Sequence, residues 1–155
     1  MGIEIERKFL LTNADWKNEA GKPVRFRQGY LVGSKNSSVR VRLEGDKANI
    51  NIKSATLGIQ RQEFEYMIPV QDAEKLLDEL CDKPLIEKNR YFIKKNNHTW
   101  EIDEFLGDNR GLIVAEIELN HEDEMFDKPG WLGDEVSSDT RYYNVCLVKH
   151  PYKDW

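Results

Sequence analysis

The sequence predicts a mainly β protein with a few helices (α+β), in which eight strands close into an antiparallel β-barrel. Apolar and charged residues alternate in segment after segment, and that period of two belongs to strands. Gly33, Gly45–Asp46, Gly58 and Gly107–Asp108 punctuate these segments as hairpin turns do. The short links make consecutive strands antiparallel neighbours, and closure removes exposed edges.

Ile3–Phe9 reads I-E-I-E-R-K-F and sets Glu4, Glu6 and Lys8 on one face. Val24–Val32 is apolar enough for a buried strand, with Gln28 and Tyr30 among its even positions. Val39–Leu43 sets Arg40 and Arg42 against three aliphatic residues, and Ala48–Lys53 aligns Asn49, Asn51 and Lys53. Gln60–Ile68 opposes Arg61, Glu63 and Glu65 to Phe64 and Tyr66. Ile86–Lys94 aligns Lys88 with Arg90, Trp100–Phe105 aligns Glu101 with Asp103, and Leu112–Asn120 aligns Glu116 with Glu118 and Asn120. Helical spacing occurs in Val70–Asp82, which follows Pro69, and from about Ser138 to Lys149. Asp15–Glu19 is expected to form one turn.

At 155 residues the chain is read as a single domain, 1–155, with room for a core. A net charge of −5 argues against a nucleic-acid partner, which would select a basic excess, but leaves room for a small phosphate ligand. No run approaches transmembrane length, so no membrane association is expected. The start lacks a signal-peptide core, and Gly2 is followed by Glu6 where a myristoylation signal wants Ser or Thr. Cys81 and Cys146 form no CxxC, which suits a reduced, cytoplasmic setting. His98, His121 and His150 lack ligand spacing and read as surface residues. Trp16, Trp131 and Trp155 read as packing residues.

Any one alternating strand is explained by an outer face in water. The set is not, because the polar positions are mostly doubled like charges: Glu4/Glu6, Arg40/Arg42, Glu63/Glu65, Lys88/Arg90, Glu101/Asp103 and Glu116/Glu118. Like charges two apart on one face repel, so a purely structural sheet gains nothing by repeating them. Turned inward, the acidic pairs make a site for a hard cation such as Mg2+ or Mn2+. The basic pairs, rich in forked guanidinium groups, make a polyphosphate cradle.

These residues resemble the CYTH domain of the triphosphate tunnel metalloenzyme superfamily, most of all its short bacterial members. E-I-E-R-K at Glu4, Glu6 and Lys8 looks like the ExExK signature. Further elements match in order: Q-G-Y-L from Gln28, V-R-V-R from Val39, I-K at Ile52–Lys53 and R-Q-E-F-E-Y from Arg61. E-K-N-R-Y from Glu87, W-E-I-D from Trp100, A-E-I-E-L from Ala115 and D-T-R-Y-Y-N from Asp139 complete the match.

The resemblance implies a tunnel that binds triphosphate and one or two Mg2+ or Mn2+ ions, with a C-terminal helix against one mouth. It implies that Glu4, Glu6 and Glu118 hold a metal, and that Glu63, Glu65 and Glu116 hold a second or orient water. Lys8, Arg40, Arg42, Lys53, Arg61, Lys88 and Arg90 fall on phosphate-binding positions. Lys8, Tyr30 and Asp103 join the three later glutamates in the implied catalytic set. The activity implied first is metal-dependent hydrolysis of a small triphosphate, inorganic tripolyphosphate above all. A class IV-type adenylate cyclase would use the same tunnel on ATP, and a non-catalytic polyphosphate-binding module is the reading from outside enzymology. The preferred substrate and the oligomeric state are left open.

Overall fold

The structure, a computed structural model, describes residues 2–56 and 58–155. The described residues form nine strands: β1 (Gly2–Leu11), β2 (Val24–Gly33), β3 (Ser37–Glu44), β4 (Lys47–Ser54), β5 (Gln60–Met67), β6 (Ile86–Lys95), β7 (His98–Phe105), β8 (Ile113–Leu119) and β9 (Leu132–Glu135). All pairings are antiparallel, in the order β5-β4-β3-β2-β6-β7-β8-β1-β9, and β5 also pairs with β1. That last pairing closes the eight expected strands into a barrel, and β9 is an added strand on β1.

The barrel is built inside out. Three apolar clusters lie on its outer face, under covering segments, while the charged faces turn inward. α1 (Val70–Lys75) and the wider π-helical turn Leu76–Leu80 cover Val41, Leu43 and Ala48 with Ala73 and Leu77. Gly29 permits this closeness, since a Cβ there would come within 2.8 Å of the Cys81 Cβ. α2 (Asn144–Lys149) covers Ile86, Phe105 and Val114 with Leu147 and Val148. The turn Asp15–Asn18 inserts Trp16 beside Trp100, Ile117 and Trp131, which bears out the reading of Trp16 and Trp131 as packing residues.

Two expectations are corrected. The helix expected over Val70–Asp82 is α-helical only to Lys75, and Cys81 N–H bonds five residues back to Leu76 O, which widens the last turn. The helix expected from about Ser138 is two pieces, a turn at Thr140–Tyr142 and then α2. Asp139 caps the first by accepting from Arg141 N–H, and Tyr143 is extended (φ −71°, ψ 132°), which breaks the run. The strand β9 was not expected. Its Gly133 lets it lie against β1, because a Cβ there would meet Leu10 O at 2.9 Å.

Candidate active site

The barrel encloses a cavity of about 300 Å3 whose wall is divided by charge. β7, β8, β1 and β5 are consecutive neighbours, and they place Glu101, Glu116, Glu118, Glu4, Glu6, Glu63 and Glu65 on one arc. β4, β3, β2 and β6 complete the circle with Lys53, Arg40, Arg42, Lys88 and Arg90. Lys8 and Arg61 are the cations of the acidic arc, and Glu44 is the carboxylate at the end of the basic one. Strand periodicity puts these side chains on one face, and closure of the barrel turns that face inward.

The basic arc is braced from behind. Asp103, expected in the catalytic set, does not line the cavity and is fully buried. It accepts from Lys88 Nζ at 2.7 Å and from Arg90 Nε and Nη2 at 2.7 and 2.8 Å. Its alternation was read correctly, but the Lys88 and Arg90 side chains lie over it. Burial lowers the Lys88 ammonium to about 7, against the pull of Asp103. Burial, with Arg40 and Arg90 nearby, lowers Arg42 to about 10. The Phe26 ring lies between two guanidinium groups, 4.7 Å from Arg42 and 4.8 Å from Arg90. Glu101 Oε1 accepts from Arg90 Nη1 at 3.2 Å.

The acidic arc is crowded. Glu6 stands directly opposite Glu118 in register, and Glu101 opposite Glu116. Burial first and Glu116 second push the Glu6 carboxyl well above the usual carboxylate range. Burial acts upward on Glu116 too, but Lys8, the hydrogen bond with Glu6 and Arg90 hold it well below that range. Of this pair Glu6 is the more readily protonated and Glu116 the more readily ionised. Glu4 and Glu63 form a second pair of this kind, with Glu4 raised by burial and Glu63 lowered. Lys53 Nζ joins that pair at 3.0 Å from Glu4 Oε1 and 3.6 Å from Glu63 Oε2. Burial and Glu4 raise Glu118 as well.

The expected metal sets, Glu4/Glu6/Glu118 and Glu63/Glu65/Glu116, thus interleave instead of forming two separate groups. Glu4 reaches Glu63 and Glu6 reaches Glu116, because barrel closure sets β1 between β5 and β8. Among the described residues no three His, Cys, Asp or Glu side chains converge closely enough to hold a metal ion as they stand. The donor chemistry nonetheless fits Mg2+ or Mn2+. The groups are carboxylate oxygens crowded on one wall, and a divalent cation would relieve that crowding.

One end of the cavity is closed by the segment before and within α2. Lys8 Nζ donates to Tyr142 O at 3.0 Å, and the Arg61 guanidinium lies 5.0 Å from the Tyr143 ring. Asn144 Oδ1 accepts from Lys88 Nζ at 2.9 Å and from Gln28 Nε2 at 3.2 Å, while Gln28 Oε1 accepts from Arg42 Nε at 3.0 Å. Tyr30 lines the cavity, with its hydroxyl 3.5 Å from Gln28 Nε2. Sequence reasoning gave no role to Gln28, Asn51, Phe26 or Asn144. Inward alternation was the signal for the first three, and Asn144 closes the D-T-R-Y-Y-N motif. A second pocket of about 320 Å3 adjoins this end and shares Tyr30, Ser38, Arg61, Tyr143 and Val145 with the cavity.

Comparison with known proteins agrees with this architecture. Over its full length the chain is 50% identical to an inorganic triphosphatase of Acetivibrio thermocellus, covering 99% of that protein. It is 36% identical over 149 residues to an inorganic triphosphatase of Nitrosomonas europaea, covering 94% of this chain and 96% of that protein. A crystal structure of an inorganic triphosphatase superposes with a TM-score of 0.66 at 35% identity, covering 94% of this chain and 93% of the other. The CYTH domain itself matches residues 2–148, and the chain belongs to the CYTH domain family.

Proposed function

We propose that this protein is a divalent-metal-dependent triphosphatase that cleaves inorganic tripolyphosphate to pyrophosphate and phosphate. The observation that carries the reading is the division of one barrel cavity into an acidic and a basic arc. A pure binder of polyanions gains nothing from the acidic half. The names of the relatives at 50% and 36% identity support the substrate. The two free cysteines suit a cytoplasmic setting, and strands drawn from Gly2 to Glu135 support one domain over 1–155.

Phosphoryl transfer needs positioning and charge neutralisation more than covalent chemistry. Arg40, Arg42, Lys88 and Arg90 hold phosphate oxygens from one side, and Lys8, Lys53 and Arg61 complete the set. Asp103 acts through Lys88 and Arg90 by fixing their heads, which makes it a positioning residue. Tyr30 helps to position Gln28, and through it Arg42. Glu4, Glu6, Glu63, Glu65, Glu116 and Glu118, interleaved along one wall, would hold one or two Mg2+ or Mn2+ ions. Such an ion, when bound, neutralises phosphate charge and acidifies a coordinated water. Water would attack the terminal phosphorus in line, its proton passing to Glu63 or Glu116 on this wall, while the bridging P–O bond breaks and pyrophosphate leaves.

The adenylate cyclase reading has one observation in its favour, the second pocket at the closed end, which has the size for an organic group. Product analysis decides. Tripolyphosphate and ATP are incubated with Mg2+ or Mn2+, and phosphate, pyrophosphate and cyclic AMP are quantified. The triphosphatase reading expects phosphate and pyrophosphate in equal amounts from tripolyphosphate. Cyclic AMP as the main product would assign the tunnel to cyclase chemistry, and binding without any product would make it a binding module.

A further inference from the structure

Three consecutive residues at the closed end of the cavity each meet one of its cations. Tyr142 O accepts from Lys8 Nζ at 3.0 Å, the Tyr143 ring lies 5.0 Å from the Arg61 guanidinium, and Asn144 Oδ1 accepts from Lys88 Nζ at 2.9 Å. The first contact belongs to the main chain and the second to a ring face. Asn144, the first residue of α2, therefore makes the segment's one side-chain hydrogen bond to these cations among the described residues. The orientation of its amide follows from donors that cannot accept. Arg42 Nε only donates, so the Gln28 atom that it meets at 3.0 Å is Oε1, and Gln28 Nε2 faces Asn144 at 3.2 Å. The Lys88 ammonium also only donates, so both neighbours of Asn144 require its oxygen.

An ammonium carries three N–H groups. Asp103 takes one of Lys88 at 2.7 Å and Asn144 a second, which leaves one for a ligand of the cavity that Lys88 lines. Gln28 is fully buried and Lys88 1% exposed, so a lost partner is not simply replaced by bulk water. Packing does not call for an amide here, since α2 is seated by Leu147 and Val148. We propose that Asn144 is a positioning residue for triphosphate binding: its amide oxygen fixes the Lys88 ammonium directly and the Arg42 guanidinium through Gln28. On this view α2 is part of the phosphate cradle as well as its end wall. The inference rests on the reading of the basic arc as a triphosphate cradle and adds a neutral residue from outside the barrel strands. Asp103 on β7 and Glu116 on β8 favour the charged form of Lys88, whereas Arg90 on β6 and Arg42 on β3 oppose it. Asn144 adds a neutral acceptor from α2 to that balance.

The test is tripolyphosphate binding to the metal-free protein, followed by calorimetry from about pH 6 to about pH 9, a range that brackets the Lys88 titration. Asn144→Ala should weaken binding by about tenfold or more, the order expected for a lost hydrogen bond to a charged group. Affinity should also fall as pH rises and Lys88 loses its proton. Loss of an acceptor destabilises the ammonium, so that fall should move to lower pH in Asn144→Ala. A carboxylate in the same place stabilises it, so the fall should move to higher pH in Asn144→Asp. The ionisations of tripolyphosphate are common to all three proteins and cancel from the comparison. Parental affinity and an unmoved midpoint in Asn144→Ala would overturn the inference. Weaker binding with both midpoints unmoved, or with both displaced in one direction, would overturn it as well, because Asn144 would then act only by seating α2. If the parent binds no tripolyphosphate at any pH, the cradle reading falls first and the inference with it.

Discussion

Replacing Asp103 by Asn keeps the shape of the side chain and removes the charge that holds two buried cations. Lys88, Arg90 and Asp103 are 1%, 7% and 0% exposed, and the carboxylate accepts three bonds of 2.7–2.8 Å. Breaking a buried ion pair from one side costs about 3–5 kcal/mol, because the stranded charge stays buried. Lys88 has a way out: its pKa already lies near 7, so it releases its proton. Arg90 does not, which places the expected loss near the lower figure. At about 2–4 °C per kcal/mol for a domain of this size, about 3 kcal/mol becomes a fall of roughly 6–12 °C in melting temperature. The loss also depends on pH. Loss of Asp103 drives the folded pKa of Lys88 still further below its unfolded value, so the unfolded state binds the extra proton and stability rises with pH. Thermal unfolding at pH 6 and pH 9 should therefore show a larger deficit at pH 6. A variant that melts within about 2 °C of the parent at both pH values would refute this account of the basic arc.

Three further outcomes follow from the two arcs. Glu6→Gln keeps a donor to Glu116 without the cost of holding a proton on a buried carboxyl at neutral pH, so the metal-free protein should melt about 1–4 °C higher. The same variant should lose about a hundredfold in tripolyphosphate turnover, as for an electrostatic transition-state contact, and a fall in both quantities would contradict the crowded acidic wall. Tripolyphosphate binding without metal near pH 7 should draw in up to about one proton at Lys88, seen by calorimetry in buffers of different ionisation enthalpy. Lys88→Arg, always charged, should remove that uptake, and unchanged uptake would place the proton elsewhere. Arg42→Lys should raise KM for tripolyphosphate about tenfold, because a point charge cannot hold Gln28, Glu44 and a phosphate at once, and an unchanged KM would take Arg42 out of the cradle.

The eight barrel strands were legible because a charged lumen writes its period of two into every strand. The pairing of β1 with β5, and with it the contact of Glu4 with Glu63, joins residues far apart in sequence and leaves no local mark. β9 is four residues, L-G-D-E, with a single large apolar side chain and a glycine, too short for alternation to register. Tyr142, Val145, Cys146 and Lys149 have helical spacing, but the extended Tyr143 is invisible to spacing, so one helix was expected where two pieces stand. Alternation placed Asp103 on the inner face and could not show that Lys88 and Arg90 lie over it. Gln28, Asn51 and Asn144 carry no charge and so were passed over, although each bonds to a charged group of the wall, Asn144 to Gln28 and Lys88 together.

The central claim, that one tunnel sets metal-binding carboxylates against a triphosphate cradle, is tested most directly by phosphate release from tripolyphosphate as a function of divalent metal. Turnover should vanish in excess EDTA, return with Mg2+ or Mn2+, and yield one pyrophosphate for each phosphate. Undiminished turnover in EDTA would contradict the assignment of the acidic arc, and no release at any metal concentration would contradict the assignment of the protein as a triphosphatase.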